Sequence, residues 1–476
     1  MLRTGNEYIA SLRDGREVWL GGKRVDVTTD PRLEPCVEAI AGIYDLQHDP
    51  QYRDLLTMPS PLDGAPVSLA YLLPRSTADL LRRRRMIEFL MRRTGAVMGR
   101  LPEYMAAIVV GLCNVRPVVS QVDPRFGDNI SAYLEHCREQ DVCLSHSFAD
   151  PPHNRARRPG PYQQLKVVGQ TEAGITIRGA KAVATLAPYA NEFIGLSPTR
   201  PEMQPDEVVY FATPIDAPGV KVICRPSLTQ PSKQDHPLAA SYDEMDAWIV
   251  FDDVFVPHER VFFSHAVAHN EAVFGEIPKT FAFYHILVRL AVKAEILAGM
   301  AAALADYFGT TGAPNVQSAL FDLIDYLETL RAFVFAAEQQ PVLSSAGIAV
   351  PNPTHTILGR IYGVERQPRI LQIVRELCGS SLLMAPGEDD LAAPELSQDV
   401  ARYVVGDDER ALERFQLLKL AWDYTADSFG SRQLLFEMYN AATPAVNKTR
   451  ILKSYDLTPL AELAKQLAGI PSTKSA

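Results

Sequence analysis

The 476 residues, 47% of them hydrophobic, suffice for about three domains and a large core, so a folded globular enzyme is the default expectation. Acidic residues (57) outnumber basic ones (47), and the net charge of −10 argues against nucleic-acid or anionic-membrane binding as the function. Six cysteines with no CxxC pair and no regular spacing exclude a zinc ribbon, a redox motif or a secreted disulfide framework.

Each cysteine reads as a small buried side chain. The start, MLRTGNEYIASLRDGREVW, has no apolar leader, and no uncharged apolar run reaches about 18 residues; cytoplasmic residence is expected. Thr4 caps a short helix, and REVWL-GG-KRVDV, alternating around Gly21 and Gly22, signals a β-hairpin, read as a small appendage. Helical periodicity governs roughly residues 31 to 140. Pro31 starts one helix, Ser76 with Asp79 three residues on marks an N-cap, and Pro102 takes a first helical position. The basic run 82–85, between Leu81 and Met86, reads as a solvated helix face or a subunit contact.

From about 143 to 263 the runs LKVV, GITIRG, EFIGL, EVVYFAT, VKVICR and AWIVFDDVFV, separated by Gly, Pro and Asp, predict a compact β-barrel or sandwich. Within it, residues 225–241 form a long polar segment without period, a candidate lid. From about 279 to 428 the helical period returns in FAFYHILVRLAVKAEILAGMAAALADYF, SALFDLIDYLETLRAFVFAAE and ALERFQLLKLAWDYTADSF. These predict a bundle of long helices with apolar faces wide enough for subunits to share. The predicted division is 1–142 (mainly α, with the hairpin), 143–270 (β) and 271–476 (helical bundle).

That order is the order of acyl-CoA dehydrogenase-like flavoproteins, but composition alone cannot separate it from other α+β arrangements. The ordered blocks TGNEYIASLRDGREVWLGGKRVDVTT, GRLPEYMAA, HSFADPPHNR, RGAKAVAT, VRLAVKAEI and LLKLAWDYTADSFGSRQLLFEMY can. Over nearly its whole length the chain resembles the 4-hydroxyphenylacetate 3-hydroxylase family. The resemblance implies an α+β, acyl-CoA dehydrogenase-like fold: an N-terminal α domain, a middle β-barrel and a C-terminal helical bundle, assembled as a homotetramer. It implies a monooxygenase that uses reduced FAD (FADH2) and O2 to hydroxylate a para-substituted phenol to a catechol through a flavin C4a-hydroperoxide. The phenol is 4-hydroxyphenylacetate-like or tyrosine-derived, free or tethered to a carrier protein. With no GxGxxG fingerprint in the sequence, reduced flavin is expected from a separate NAD(P)H-dependent flavin reductase. No metal is expected.

In GRLPEYMAA, Arg100 stands just before the helix that Pro102 starts and Tyr104 in its first turn, so both can converge on one anion or phenol oxygen. The plainer alternative is an Arg cap beside a buried Tyr. His146 ends the apolar run DVCLSH; a lone His there is often structural. The resemblance assigns phenol binding and catalysis to Arg100, Tyr104 and His146, with Arg100 beside the flavin peroxide and His146 facing both flavin and substrate. It places flavin contacts at His146, Ser147 and Phe148 and at Pro152, His153, Asn154 and Arg155, the last a partner for phosphate; the family commonly has Asp at the Asn154 position. In RGAKAVAT, Gly179 is expected in a tight turn, and Thr185 at a strand end, its hydroxyl donating to flavin N5. Ser197 matches a substrate contact, where Pro198 removes a backbone donor. Asn440, Ala441, Ala442 and Thr443 match a turn that reaches FAD, although many relatives carry Gly there.

Three other readings compete with this one. A 4-hydroxybutyryl-CoA dehydratase-like enzyme needs cluster ligands where this chain has Arg100, Tyr104 and Val292, with only His285 matching. An acyl-CoA dehydrogenase would have its flavin reduced by substrate. A non-catalytic scaffold would have no reason to keep Arg100, Tyr104, His146 and Thr185 together.

Overall fold

The computed structural model describes residues 2–470 except 155, 157–159, 161, 281 and 407. Its first helix, α1 (Gly5–Ser11), begins where Thr4 and Glu7 form a reciprocal capping box, which satisfies N–H groups that a helix start leaves open. Gly21 and Gly22, at φ 62° and 78°, then turn the chain between β1 (Val18–Leu20) and β2 (Lys23–Arg24), the expected hairpin. The hairpin is not an appendage, however. Val18 and Leu20 are buried, and β1 pairs in parallel with a strand of the middle region, Val18 opposite Val222.

Helix α2 (Glu34–Leu46) begins around Pro35 and not at Pro31, because the Asp30 side chain first binds the Arg32 N–H at 3.0 Å and makes a turn of residues 30–33. After α3 (Arg53–Leu56) and the ribbon β3 (Thr57–Pro59) and β4 (Pro66–Ser68) come α4 (Thr77–Arg93), α5 (Pro102–Val122) and α6 (Pro124–Gln140). Ser76 caps α4 by accepting the Asp79 N–H, and Pro102 sits in the first turn of α5, as predicted. Among the described residues, α5 is the one helix long and apolar enough to cross a membrane, and 67% of that stretch is buried inside the fold. The basic run on α4 does not form one solvated face. Arg82 and Arg85 are exposed but Arg83 is buried, since successive helical residues point about 100° apart; burial pushes the Arg83 guanidinium down to about 10.

The middle region contains β5 (Leu144–Ser147), β6 (Lys166–Gln170), β7 (Gly174–Lys181), β8 (Glu192–Gly195), β9 (Val209–Pro214), β10 (Val220–Cys224), β11 (Ala247–Pro257) and β12 (Val261–Ser264). They form two sheets, ordered β2-β1-β10-β11-β7-β6 and β12-β9-β8-β5. Phe251 of the first lies 5.6 Å, ring to ring, from both Phe193 and Phe211 of the second, so the inner faces interdigitate. Among the described residues no ring of strands closes, and a bridge between Ala149 and Ala182 joins the sheets at one corner. Gly179, expected in a tight turn, lies inside β7 at φ 133°. A Cβ there would meet the Gln164 carbonyl oxygen at 2.4 Å, so close backbone approach is what requires glycine.

Residues 225–241 hold no helix or strand, yet the segment is not a free flap. Asp423, fully buried, accepts the N–H groups of Leu238 and Ala239 at 2.8 and 3.0 Å and binds His236 at 2.9 Å, while Asp243 pairs with Arg225 at 2.6 Å. Four long helices follow, α7 (Val267–Thr280), α8 (Ala282–Tyr307), α9 (Pro314–Gln339) and α10 (Pro353–Cys378), then short α11 (Ser381–Met384), α12 (Glu388–Ala392) and α13 (Ser397–Asp399). The chain ends in α14 (Ala411–Thr425), α15 (Ser428–Tyr439), α16 (Pro444–Ser454) and α17 (Thr458–Leu467). Helices α8, α9 and α10 pack on one another, and α8 also packs on α4. All six cysteines are buried and free.

Candidate active site

Pro102 sets the start of α5 and so places Arg100 just ahead of the helix and Tyr104 in its first turn. On β5, side chains alternate across the sheet. Ser145 and Ser147 donate to the carbonyls of Thr185 and Ala182, while His146 between them turns to Arg100, Met105 and Phe148. Arg100 Nη1 donates to His146 Nε2 at 2.8 Å, and its Nη2 to Asn440 Oδ1 at 2.9 Å. The same guanidinium lies 4.6 Å from the Tyr104 ring centre, close enough for a cation–π attraction. Phe148 closes the other side, its ring 4.6 Å from the imidazole.

A guanidinium can only donate, so His146 Nε2 accepts and the ring hydrogen sits on Nδ1, 3.1 Å from Met105 Sδ. Burial, reinforced by Arg100, holds the imidazole well below its ordinary pKa, and it is neutral. Burial raises the Tyr104 hydroxyl against the pull of Arg100 and Arg289, so it stays protonated and can donate. Arg100, Tyr104, His146 and Asn440, four residues singled out from sequence, therefore meet in one place.

Around them lies a charged layer that sequence reasoning missed. Glu103 is buried beside His285, Oε1 to Nε2 at 3.2 Å, and burial pushes its carboxyl up to about 8. Arg289 Nη1 approaches His285 Nδ1 at 3.5 Å, which leaves the imidazole hydrogen on Nε2, facing Glu103. The edge of the His285 ring is 4.7 Å from Tyr104. Behind it, Arg289 and Lys293 share Glu437 at 2.7 and 2.8 Å; although burial opposes it, the two cations hold that carboxyl far below its usual range. The available signal was the Arg289 and Lys293 pair, four residues apart on an otherwise apolar helix.

The expected cofactor contacts fare unevenly. Thr185 lies beyond β7 and not at its end, and its hydroxyl donates to Asp246 Oδ1 at 2.7 Å. Asp246 is gripped by Arg432 at 2.7 Å and Arg225 at 3.0 Å, which keep it ionised against the burial that would raise it. In this arrangement the Thr185 hydrogen goes to Asp246. The Ser197 hydroxyl bridges the Val209 carbonyl at 3.1 Å and N–H at 3.2 Å, and so completes β9. Pro152 and Asn154 are exposed, with the Asn154 side chain accepting the Ala156 N–H at 3.0 Å, and His153 Nδ1 lies 3.3 Å from the Pro151 carbonyl. Arg155 lies outside the described residues. Ala441 and Ala442 both adopt positive φ, 55° and 75°, and Thr443 caps α16.

A family model described as 4-hydroxyphenylacetate 3-hydroxylase N terminal matches residues 4–263, and one described as 4-hydroxyphenylacetate 3-hydroxylase C terminal matches residues 276–469. The 4-hydroxyphenylacetate 3-monooxygenase oxygenase component of Thermus thermophilus is 33% identical over 97% of this chain and 96% of its own length. The 4-nitrophenol 4-monooxygenase/4-nitrocatechol 2-monooxygenase oxygenase component of Rhodococcus opacus is 32% identical over 100% of this chain and 92% of its own. Among solved structures, a 4-hydroxyphenylacetate 3-monooxygenase oxygenase component complexed with FAD and 4-hydroxyphenylacetate superposes with a TM-score of 0.92, at 32% identity and 98% coverage of both chains.

Proposed function

The chain belongs to the 4-hydroxyphenylacetate 3-hydroxylase family, and on that premise we propose that Arg100, Tyr104 and His146 form its phenol-binding and catalytic centre. The enzyme is the oxygenase component of a two-component, FADH2-dependent monooxygenase that converts a para-substituted phenol to a catechol. A separate reductase provides the reduced flavin; we propose that it is NAD(P)H-dependent.

Reduced FAD, when bound, supplies the electrons that activate O2. The buried polar atoms suit it: among the described residues Arg100 Nε, Arg360 Nε and Nη1, and Asn440 Nδ2 have no hydrogen-bond partner, and all are donors. Buried donors in this state point to a ligand rich in acceptors, as the carbonyl and phosphate oxygens of FAD are. Residues proposed to hold it are His146, Ser147, Phe148, Pro152, His153, Asn154, Thr185, and the turn of Asn440, Ala441, Ala442 and Thr443.

The chemistry asked of the chain's own residues is to bind, deprotonate and orient the phenol. The Tyr104 hydroxyl and the Arg100 guanidinium converge on the phenol oxygen, and neutral His146 takes the phenol proton at Nε2 once Arg100 Nη1, which holds that lone pair at 2.8 Å, turns to the phenol oxygen instead. Arg100 then faces an oxyanion in a buried setting, where a fixed cation acts most strongly, and the ortho carbon gains electron density. Phe148 and Met105 pack against His146 and keep water from it. The observation that carries this reading is the neutral imidazole bonded directly to Arg100.

We assign Ser197 and Pro198 to the para end of the phenol; the Ser197 hydroxyl is engaged by Val209. Exposed Phe321, Phe335, Leu383 and Met384 suit a subunit contact, and we propose a homotetramer as the assembly and place the protein in the cytoplasm. The test is product analysis with FAD, NADH, a generic flavin reductase and a panel of para-substituted phenols, free and carrier-tethered. Catechol from at least one is expected; hydrogen peroxide as the sole oxygen product with every phenol would overturn the assignment.

A further inference from the structure

Arg360, midway along α10, is fully buried. The nearby carboxylate, Glu437, is engaged by Arg289 and Lys293, and Arg360 forms no ion pair among the described residues. A buried guanidinium without a carboxylate is strongly unfavourable, so this one calls for a reason. Its Nη2 donates to the carbonyls of Asn440 and Ala442. Asn447, also buried, donates its Nδ2 to the carbonyls of Ala441 and Ala442, both at 3.3 Å. Three successive carbonyls of the turn between α15 and α16 are thus drawn to two side chains.

The turn needs that hold. Ala441 and Ala442 have φ of 55° and 75°, where a Cβ crowds the following carbonyl, and two such residues in succession are not stable unaided. What the turn presents is Asn440, whose Oδ1 receives Arg100 Nη2 at 2.9 Å, while Arg100 Nη1 reaches His146 at 2.8 Å. From Arg360 to His146 the hydrogen bonds run without a gap.

We infer that Arg360 is a positioning residue: it locks the Ala441–Ala442 turn in its left-handed form and, through Asn440, sets the Arg100 guanidinium against His146 for phenol binding. The inference rests on Arg100 and His146 being the phenol site. Arginine suits the task because a planar, preorganised nitrogen can serve two carbonyls at once, whereas lysine brings a flexible stem and a strongly hydrated ammonium.

The experiment is a double-mutant cycle on the full chain loaded with FAD, with Arg360→Met, Asn440→Ala and the two together. Because Arg360 and Asn440 also offer donors to FAD, each protein is compared at equal FAD occupancy read from flavin absorbance, and phenol loss that disappears at equal occupancy overturns the inference. Two quantities are read: the dissociation constant of the preferred phenol by equilibrium dialysis, and the fraction of consumed O2 that appears as catechol with the reductase present. Each single variant is expected to weaken phenol binding and lower the catechol fraction at least about fivefold, and the double variant to match the worse single within about twofold, because both cut the same link. Arg360→Lys is expected to fall between wild type and Arg360→Met, and it replaces Arg360→Met in the cycle should the latter not fold. Effects that multiply in the double variant, or an Arg360 variant that binds phenol like the wild type, overturn the inference. A wild-type chain that binds phenol yet never oxygenates it sinks the proposed activity alone, since the dialysis cycle still decides the role of Arg360. A chain that binds no phenol overturns both.

Discussion

Arg100 and His146 meet as a donor and a neutral acceptor, Nη1 to Nε2 at 2.8 Å, so the cation and the base of the proposed centre stand side by side. Neither can be changed without altering the other's state. Arg100→Ala removes the cation that depresses the imidazole, and His146→Ala leaves the guanidinium without one of its acceptors.

For both variants the expected result is a catechol yield lower by about 10²-fold or more, the usual range for losing a positioned acid–base group, with a matching rise in hydrogen peroxide. FAD should still bind, measured by fluorescence titration, but more weakly than to wild type, since His146 and Arg100 Nε are among the groups proposed to hold it. Unchanged coupling in both variants would remove these residues from the site.

Two buried histidines make the fold sensitive to acid. His146 and His285 are both held well below their ordinary pKa, chiefly by burial and then by neighbouring arginines. Below about pH 6.5 the unfolded chain binds protons that the folded chain refuses. Stability should therefore be full above that pH and fall as pH drops, each histidine contributing up to about 1.4 kcal/mol per pH unit. Urea unfolding of wild type and His146→Gln between pH 7 and 5 measures this, and a slope no shallower in the variant would contradict it.

Glu103 acts with the opposite sign. Its folded carboxyl is raised to about 8, so from about pH 4.5 to 8 the folded state keeps a proton that the unfolded state has released, and stability from this group declines as pH rises. Glu103→Gln preserves the acceptor for the His285 Nε2 hydrogen and removes the titration. The variant should gain stability relative to wild type on going from pH 5 to pH 8, by up to about 1.4 kcal/mol per pH unit. Parallel pH profiles for the two proteins would show that Glu103 is not protonated as described.

Asp246 holds Thr185, Arg225 and Arg432 at once. Truncation removes a shared carboxylate, but Arg225 keeps Asp243 and Arg432 keeps Glu244, so the loss should fall below the about 3–5 kcal/mol of a fully broken buried pair. Asp246→Ala should lower the urea midpoint accordingly. Thr185→Val, which frees one acceptor of an otherwise satisfied carboxylate, should cost about 1 kcal/mol.

Much of this was legible from sequence where the determinants are local. The Thr4 and Ser76 caps, Pro102 and the Gly21-Gly22 turn act through neighbours a few residues away, and Arg100, Tyr104 and His146 stood in recognisable blocks. What stayed hidden depends on pairing across the chain. Arg289 and Lys293 lie in VRLAVKAEI and Glu437 in LLFEMY, yet nothing in either block says that they share a carboxylate. Arg83 looked solvated because its neighbours in the run are basic, whereas its direction on the helix buries it. The donor role of Thr185 came from the resemblance, and its bond to Asp246, 61 residues away, carries no local signal. Arg360 carries no local signal at all; its partners, Asn440 and Ala442, are on another helix pair.

The pairing of Val18 with Val222 also dictates an order of events in the cell. At roughly 5–20 residues per second of synthesis, the first strand emerges on the order of 10–40 s before its partner. For that interval the nascent amino-terminal segment is a sticky ribbon in search of an edge, and β10 in turn is born into a sheet whose neighbour must return from the far end of the emerging polypeptide.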